Sequence, residues 1–171
     1  MKVIIGANIS MNGKVLIDEI KEHQVPQQDA TNYLINAAIE IGNIVIGRHT
    51  FESISSMPGG LQGMFPGVEI VLMSKTFQET STIKVVDSPE KAITYLSEKG
   101  FTEIAVGGGT ATYNAFLDKD LVTDIFLNII PIFTGSDGIL GNSPELTTKF
   151  ALIDHALLLD NCLRLHYTRI D

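Results

Sequence analysis

The sequence predicts an α/β domain with a mostly parallel central sheet, an antiparallel C-terminal edge hairpin, and helices on both faces. Two observations carry this expectation. Short apolar runs of strand length alternate with segments of helical spacing along most of the chain. The last two runs, 150–158 and 162–170, flank Asp160-Asn161 in the manner of a closing hairpin.

The elements follow in order. Val3 to Ile9 reads as a strand buried on both faces. Ser10 to Gln28 is polar and irregular around the turn-prone pair Asn12-Gly13. From Asp29 to Ile41 the residues Tyr33, Leu34, Ala37, Ala38 and Ile41 recur at helical spacing, and Gly42 stops the helix. Asn43 to Ile46 is a second buried strand that ends at Gly47, and Thr50 to Ile54 suits a short helix. Met57 to Gly67, with its prolines and glycines, reads as loop. Glu69 to Met73 and Ile83 to Val86 are further strands. Ser88 then suits an N-cap, and Pro89 the first position of a helix that runs to about Lys99. Glu103 to Val106 is a strand running into Gly107-Gly108-Gly109, Thr110 to Leu117 a short helix, and Thr123 to Ile130 the strand before the hairpin.

A chain of 171 residues fits one domain, here taken as 1–171, with an ordinary globular balance of 44% apolar and 19% charged residues. Its apolar stretches are strand-length and broken by polar residues, so no transmembrane helix is readable. The N-terminal run reads as a first strand rather than a signal peptide, because no small-residue cleavage site follows it. One cysteine, Cys162, excludes an internal disulfide and a cysteine metal cluster, and fits a reducing compartment such as the cytoplasm. The four histidines lack ligand spacing, so no metal is expected. A net charge of −8 argues against nucleic acid as a partner, yet leaves room for an anionic cofactor held by local donors.

Three segments suit phosphate. In Asn43 to Ser53 a buried strand ends at Gly47 and is followed by Arg48, His49 and Thr50 at a helix start, where free N–H groups, the dipole and a guanidinium favour an anion. The same residues also suit a plain strand–turn–helix corner. Gly107, Gly108 and Gly109 lead into Thr110, Ala111 and Thr112, where backbone can approach a ligand closely; a tight turn needing positive φ would read alike. This run is not GxGxxG, so a Rossmann label does not apply. Ser74, Lys75 and Thr76 follow a strand and offer two hydroxyls and an amine for a ribose 2′-phosphate, although strand ends often carry such residues. Each segment lies just past the C-terminal end of a strand, the edge where open α/β sheets bind ligands. Together they point to a dinucleotide.

These segments resemble the dihydrofolate reductase superfamily. Gly47 to Ile54, GRHTFESI, is similar to the family segment that holds the NADPH phosphates, and Ser74-Lys75-Thr76 to the stretch that recognises the adenosine 2′-phosphate. Gly107 to Thr112 resembles the glycine turn that cradles the pyrophosphate and often carries a cis peptide, expected here at Gly108–Gly109 or else Gly107–Gly108. Ser10-Met11-Asn12-Gly13-Lys14 resembles the S-x-D-G-K signature of riboflavin-pathway reductase domains. Leu121 to Ile125 with Ile130 to Gly135 resembles their L-V-D-E-L…P-x-x-x-G segment. The likeness covers Lys2 to about Gly141. It implies NADPH as cofactor, with Ala7 and Ile9 near the nicotinamide, and a loop at Ser10–Lys14 closing over the site so that Asn12 or Lys14 reaches the substrate. It also implies a homodimer through Ile129, Ile130, Ile132 and Phe133.

The chain departs from the pattern at Asn12, where the signature has aspartate, and at Thr123-Asp124, where it has Asp-Glu. The family's proton-donating carboxylate sits on the first helix. Counting back from Gly47 gives Thr31, and Asp29 qualifies only with a register shift of two; Asp29 also suits a helix N-cap. The implied activity is hydride transfer from NADPH to a pyrimidine- or pterin-type heterocycle, most like 5-amino-6-(5-phosphoribosylamino)uracil reductase. The alternatives are dihydrofolate reduction and a non-catalytic NADPH-binding module.

Overall fold

The computed structural model describes residues 1–16, 28–78, 83–135 and 138–170, with the side chains of Gln28 and Asp29 outside that description. Among the described residues eight strands form one sheet: β1 (Lys2–Ser10), β2 (Asn43–Gly47), β3 (Glu69–Met73), β4 (Lys84–Val86), β5 (Glu103–Gly108), β6 (Asp124–Ile130), β7 (Phe150–Leu157) and β8 (Leu163–Arg169). Their order is β4-β3-β2-β5-β1-β6-β8-β7. The first six strands pair in parallel, whereas β8 pairs antiparallel with both β6 and β7. The expected architecture is the observed one.

Among the described residues five α-helices join the strands: α1 (Gln28–Ile41), α2 (Arg48–Ser56), α3 (Gly60–Met64), α4 (Pro89–Glu98) and α5 (Thr110–Asp118). Strand alternation sends neighbouring residues to opposite faces. Val3, Ile5, Ala7, Val45, Val71 and Val106 pack with Ala92 and Leu96 of α4 and Phe116 and Leu117 of α5. Ile44, Ile46, Ile70 and Ala105 pack on the other face with Ala38 of α1 and Ile54 of α2. Gly6 lets α1 approach, since a Cβ there would stand 2.7 Å from Leu34 Cδ2. Ser88 caps α4 by accepting from Lys91 N, with Pro89 in the first turn, as the sequence predicts.

Two local expectations need correction. The 57–67 segment is not all loop, because α3 forms within it. Gly63 N donates to Gly59 O and Phe65 N to Leu61 O, and burial of Phe65 and Val68 anchors the turn despite its glycines. Also, α2 starts at Arg48 rather than Thr50, directly off β2 with no intervening loop. In the closing hairpin, Asp160 and Asn161 adopt φ of 56° and 61°, the left-handed region that Asp and Asn tolerate better than most residues.

At the rim formed by the start of β1, Asp124 locks three strands together. Its buried carboxylate accepts from Thr168 Oγ1 (2.8 Å), His166 Nε2 (2.9 Å) and Thr123 Oγ1 (2.9 Å), with Lys2 Nζ at 3.6 Å. Burial alone would raise its pKa, but these hydrogen bonds outweigh it and hold the carboxyl below the usual carboxylate range. A depressed folded-state pKa adds stability above the unfolded value and loses it as pH falls through the folded value. Asp124→Asn is therefore expected to cost about 2 kcal/mol at neutral pH, with the gap to the parent closing in acid. Urea unfolding across a pH series measures this, and a gap independent of pH would contradict it.

Candidate functional site

The parallel strands β1, β2, β3 and β5 all end on one edge of the sheet. Gly47 pairs with Met73, and Ile46 with Gly108, so the residues that follow β2, β3 and β5 emerge side by side. Two of these strands run straight into helices. Gly47 is the N-cap of α2 and Gly109 that of α5; neither end has a side-chain cap or an acidic residue in its first turn. Thr112 N donates to Gly109 O at 2.9 Å, and the first turns and positive dipole ends of the two helices otherwise face no side-chain cap or acid.

Close contact holds these corners together. A Cβ on Gly47 would collide with the Thr112 hydroxyl oxygen and stand 3.6 Å from both Gly108 O and Gly109 N. Only glycine fits. Gly108 has φ +106°, and its α-carbon faces the Tyr113 ring; the Gly108–Gly109 peptide is cis, at the position the sequence indicates. Tyr113 donates to Gly6 O at 2.6 Å, and burial pushes its phenol well above the ordinary range, so it remains a donor. The third corner is tied to α2 by Phe77, whose ring meets Phe51 edge-on at 5.3 Å. There Ser74 Oγ accepts from Thr76 N (3.3 Å) and Phe77 N (3.1 Å), while Lys75 and Thr76 are exposed.

The remaining expected residues fall as follows. Thr50 is buried in the first turn of α2, and its hydroxyl meets no partner among the described residues. Arg48 and His49 are exposed; Arg48 Nε and His49 Nδ1 each lie 3.8 Å from a Glu52 carboxylate oxygen. Thr110 and Ala111 open α5, whereas Thr112 turns inward onto Gly47. Ala7 is buried in β1. Asp29 lies in α1, but its side chain is outside the described residues.

The 10–14 loop reaches the same edge. Gly13 takes φ +78°, Ser10 Oγ donates to Asn12 Oδ1 at 2.7 Å, and Lys14 N donates back to Ser10 Oγ at 3.0 Å. Both ends of the Asn12 amide engage Thr134: Nδ2 donates to its carbonyl (2.9 Å), and its N–H donates to Oδ1 (3.3 Å). Val15 N donates to Gly138 O, and a Cβ on Gly138 would stand 2.6 Å from Thr110 Oγ1, which links this loop to the start of α5. Among the described residues no His, Cys, Asp or Glu cluster is arranged to hold a metal.

Sequence reasoning missed a buried polar cluster on the α1 face. Asn8 and Asn128 are partners in the β1–β6 register. Asn128 Nδ2 donates to Asn8 Oδ1 (2.9 Å) and Ala30 O (3.1 Å), and Asn8 Nδ2 donates to Thr31 Oγ1 (3.2 Å). The pair is 120 residues apart in sequence, and only the hydrophilic interruption of two apolar strands could have hinted at it.

Comparison with known proteins agrees with this geometry. The family model for dihydrofolate reductase matches residues 35–137. Among solved structures, a protein from Shewanella sp. PV-4 provisionally assigned to riboflavin biosynthesis superimposes with a TM-score of 0.76 at 20% identity, covering all of both chains. A pyrimidine reductase-like protein from Corynebacterium diphtheriae gives 0.76 at 16% identity, over 99% of this chain and 92% of its own. RibD from Acinetobacter baumannii gives 0.72 at 14% identity, with 99% of this chain spanning 58% of that one. No curated protein matches by sequence. With the family model covering more than half of its residues, the chain belongs to the dihydrofolate reductase family.

Proposed function

We propose that the chain is an NADPH-dependent reductase acting on a pyrimidine- or pterin-type heterocycle, most like a 5-amino-6-(5-phosphoribosylamino)uracil reductase. The observation that carries this reading is the meeting of two uncapped helix starts at Gly47 and Gly108–Gly109. Two orphaned N-terminal turns on one rim suit the two phosphates of a dinucleotide. The buried hydroxyl of Thr50, without a partner among the described residues, belongs to the same corner. When bound, NADPH supplies a hydride to an electrophilic carbon of the substrate.

The protein's own residues bind and orient. Gly47, Arg48, His49 and Thr50, with Gly107 to Ala111, hold the pyrophosphate, and Thr112 spaces the two corners. Ser74, Lys75 and Thr76 hold the adenosine 2′-phosphate; Asp87 does not compete, because Lys91 holds its carboxylate at 2.7 Å. Ala7 floors the nicotinamide region. Gly13 permits the turn of the 10–14 loop, and Asn12 clasps that loop to Thr134, which makes it a positioning residue. Asp29 on α1 is the candidate proton donor. The S-x-D-G-K-like loop and two of the similar structures, one a riboflavin-biosynthesis protein by name and one pyrimidine reductase-like, favour the pyrimidine reading.

A homodimer in the cytoplasm belongs to the same reading. Strand β8 alternates Leu163, Leu165 and Tyr167 with Arg164, His166 and Thr168, so one face of β8 is apolar, and on β7 that face carries Leu152, His155 and Leu157. Leu152 and Leu157 of β7 extend that face and are exposed, as is Phe133. Ile130, by contrast, is buried with Ala30 and Cys162. Such a face suits a second copy. No helix among the described residues is long and apolar enough to cross a membrane.

Two measurements follow. In fluorescence titrations the parent is expected to bind NADPH about tenfold or more tightly than NADH. That preference should shrink in Lys75→Ala, while Arg48→Ala weakens both cofactors. Equal affinities in the parent would refute the 2′-phosphate site. Equilibrium sedimentation at micromolar concentration should show a dimer that Leu157→Asp dissociates; a monomeric parent would contradict pairing.

A further inference from the structure

Helix α5 starts at the glycine corner, and one of its faces holds the 138–141 segment. Thr110 and Asn114 are four residues apart and therefore share that face. Thr110 Oγ1 lies against Gly138, whose φ of +100° and missing Cβ allow the approach. One turn further on, the buried Asn114 amide spans the neighbouring backbone. Its Nδ2 donates to Ile139 O at 3.0 Å, and its Oδ1 accepts from Gly141 N at 2.8 Å. A backbone carbonyl can only accept and an N–H only donate, so both ends of the amide are fixed in sense.

The same segment carries the Ser10–Lys14 loop. Val15 N donates to Gly138 O at 2.9 Å, and Lys14 pairs with Ile139 in an antiparallel bridge. Within the loop, Ser10 N donates to Lys14 O and Gly13 N to Ser10 O, each at 2.9 Å, so a displacement at Lys14 is passed on to Gly13. Core packing accounts for only part of the hold on the segment. Leu140 is half-buried against the core, whereas Ile139 is 51% exposed. Among the described residues, the directional link between α5 and the backbone on either side of Leu140 is the Asn114 amide.

We propose that Asn114 is a positioning residue that couples the cofactor corner to the Ser10–Lys14 loop. The path runs from the first turn of α5 through Asn114 and the 139–141 backbone to Lys14. The element with two states is the loop, docked as in the structure or locally opened. A phosphate seated at the start of α5 steadies that helix and, through Asn114, favours the docked loop. The inference rests on the reductase reading and adds a regulation to it: cofactor prepares the substrate side. Coupling between two sites of this kind is reciprocal and worth about tenfold.

Amide hydrogen exchange of the full chain, with and without saturating NADPH, tests this. The amides of Gly13 and Val15 report opening of the loop, and that of Val45 reports opening of the core. In the parent, NADPH is expected to slow Gly13 and Val15 about tenfold. Asn114→Leu fills the space and removes both bonds. There NADPH should still shift the amide signals of Arg48 to Thr50, yet slow Gly13 and Val15 less than about twofold. Asn114→Asp keeps the volume and the Gly141 bond but sets a carboxylate oxygen against the Ile139 carbonyl. It should fall between the two, and it serves if the leucine variant does not fold. A purely structural brace would speed Val45 along with the loop and leave the NADPH effect intact. Equal protection of the loop by NADPH in parent and variants would overturn the proposal. So would its absence in a parent that binds NADPH, or loss of the fold in both variants. A parent whose Arg48 to Thr50 and Thr110 to Thr112 signals ignore NADPH would instead refute the reductase reading and take the proposal with it.

Discussion

The candidate site depends on one steric constraint, the absence of a side chain at Gly47. With a hydrogen in place of a Cβ, the Thr112 hydroxyl packs onto the end of β2, and the first turn of α5 sits against the first turn of α2. Two helices thereby begin within contact of each other, both without a cap and without an acid in the opening turn. Helix starts in an isolated protein normally recruit a side-chain acceptor. Here both lack one.

The rest of the rim is organised around that meeting point. The parallel register delivers Ser74 beside Gly47, and the Phe51–Phe77 contact ties its turn to α2. The Ser10–Lys14 loop is clasped to Thr134 by Asn12 and leans on the start of α5 through Gly138. Tyr113 connects the glycine corner to β1 through the Gly6 carbonyl, and Gly6 in turn admits α1. The glycine corner, the 10–14 loop and the amide cluster are thus linked through short contacts. The Asp124 lock lies at the opposite end of β1, where it holds the sheet without occupying the rim.

Much of this was legible in the sequence. All eight strands announce themselves as short apolar runs, and the phosphate-friendly residues are local, each within a few positions of a strand end. Local signals of that kind survive in a linear reading because the strand, its turn and its helix are contiguous. Helix α3 did not, since its glycines and the preceding Pro58 look like loop and only the burial of Phe65 reveals the packing that holds it. The amide cluster was also hidden. Asn8 and Asn128 meet only through the parallel pairing of β1 with β6, a register that no local pattern encodes. Asn12 illustrates a different gap: its place in a signature was visible, while the two hydrogen bonds that turn it into a clasp depend on Thr134, far along the chain.

If the chain is the proposed reductase, both helix starts grip one ligand. Titration of the isotope-labelled protein with NADPH, followed by the backbone amide signals, tests this shared grip. The amides of Arg48 to Thr50 and of Thr110 to Thr112 should shift together and report a single dissociation constant. If only one of the two groups responds, or neither does, the shared site does not exist.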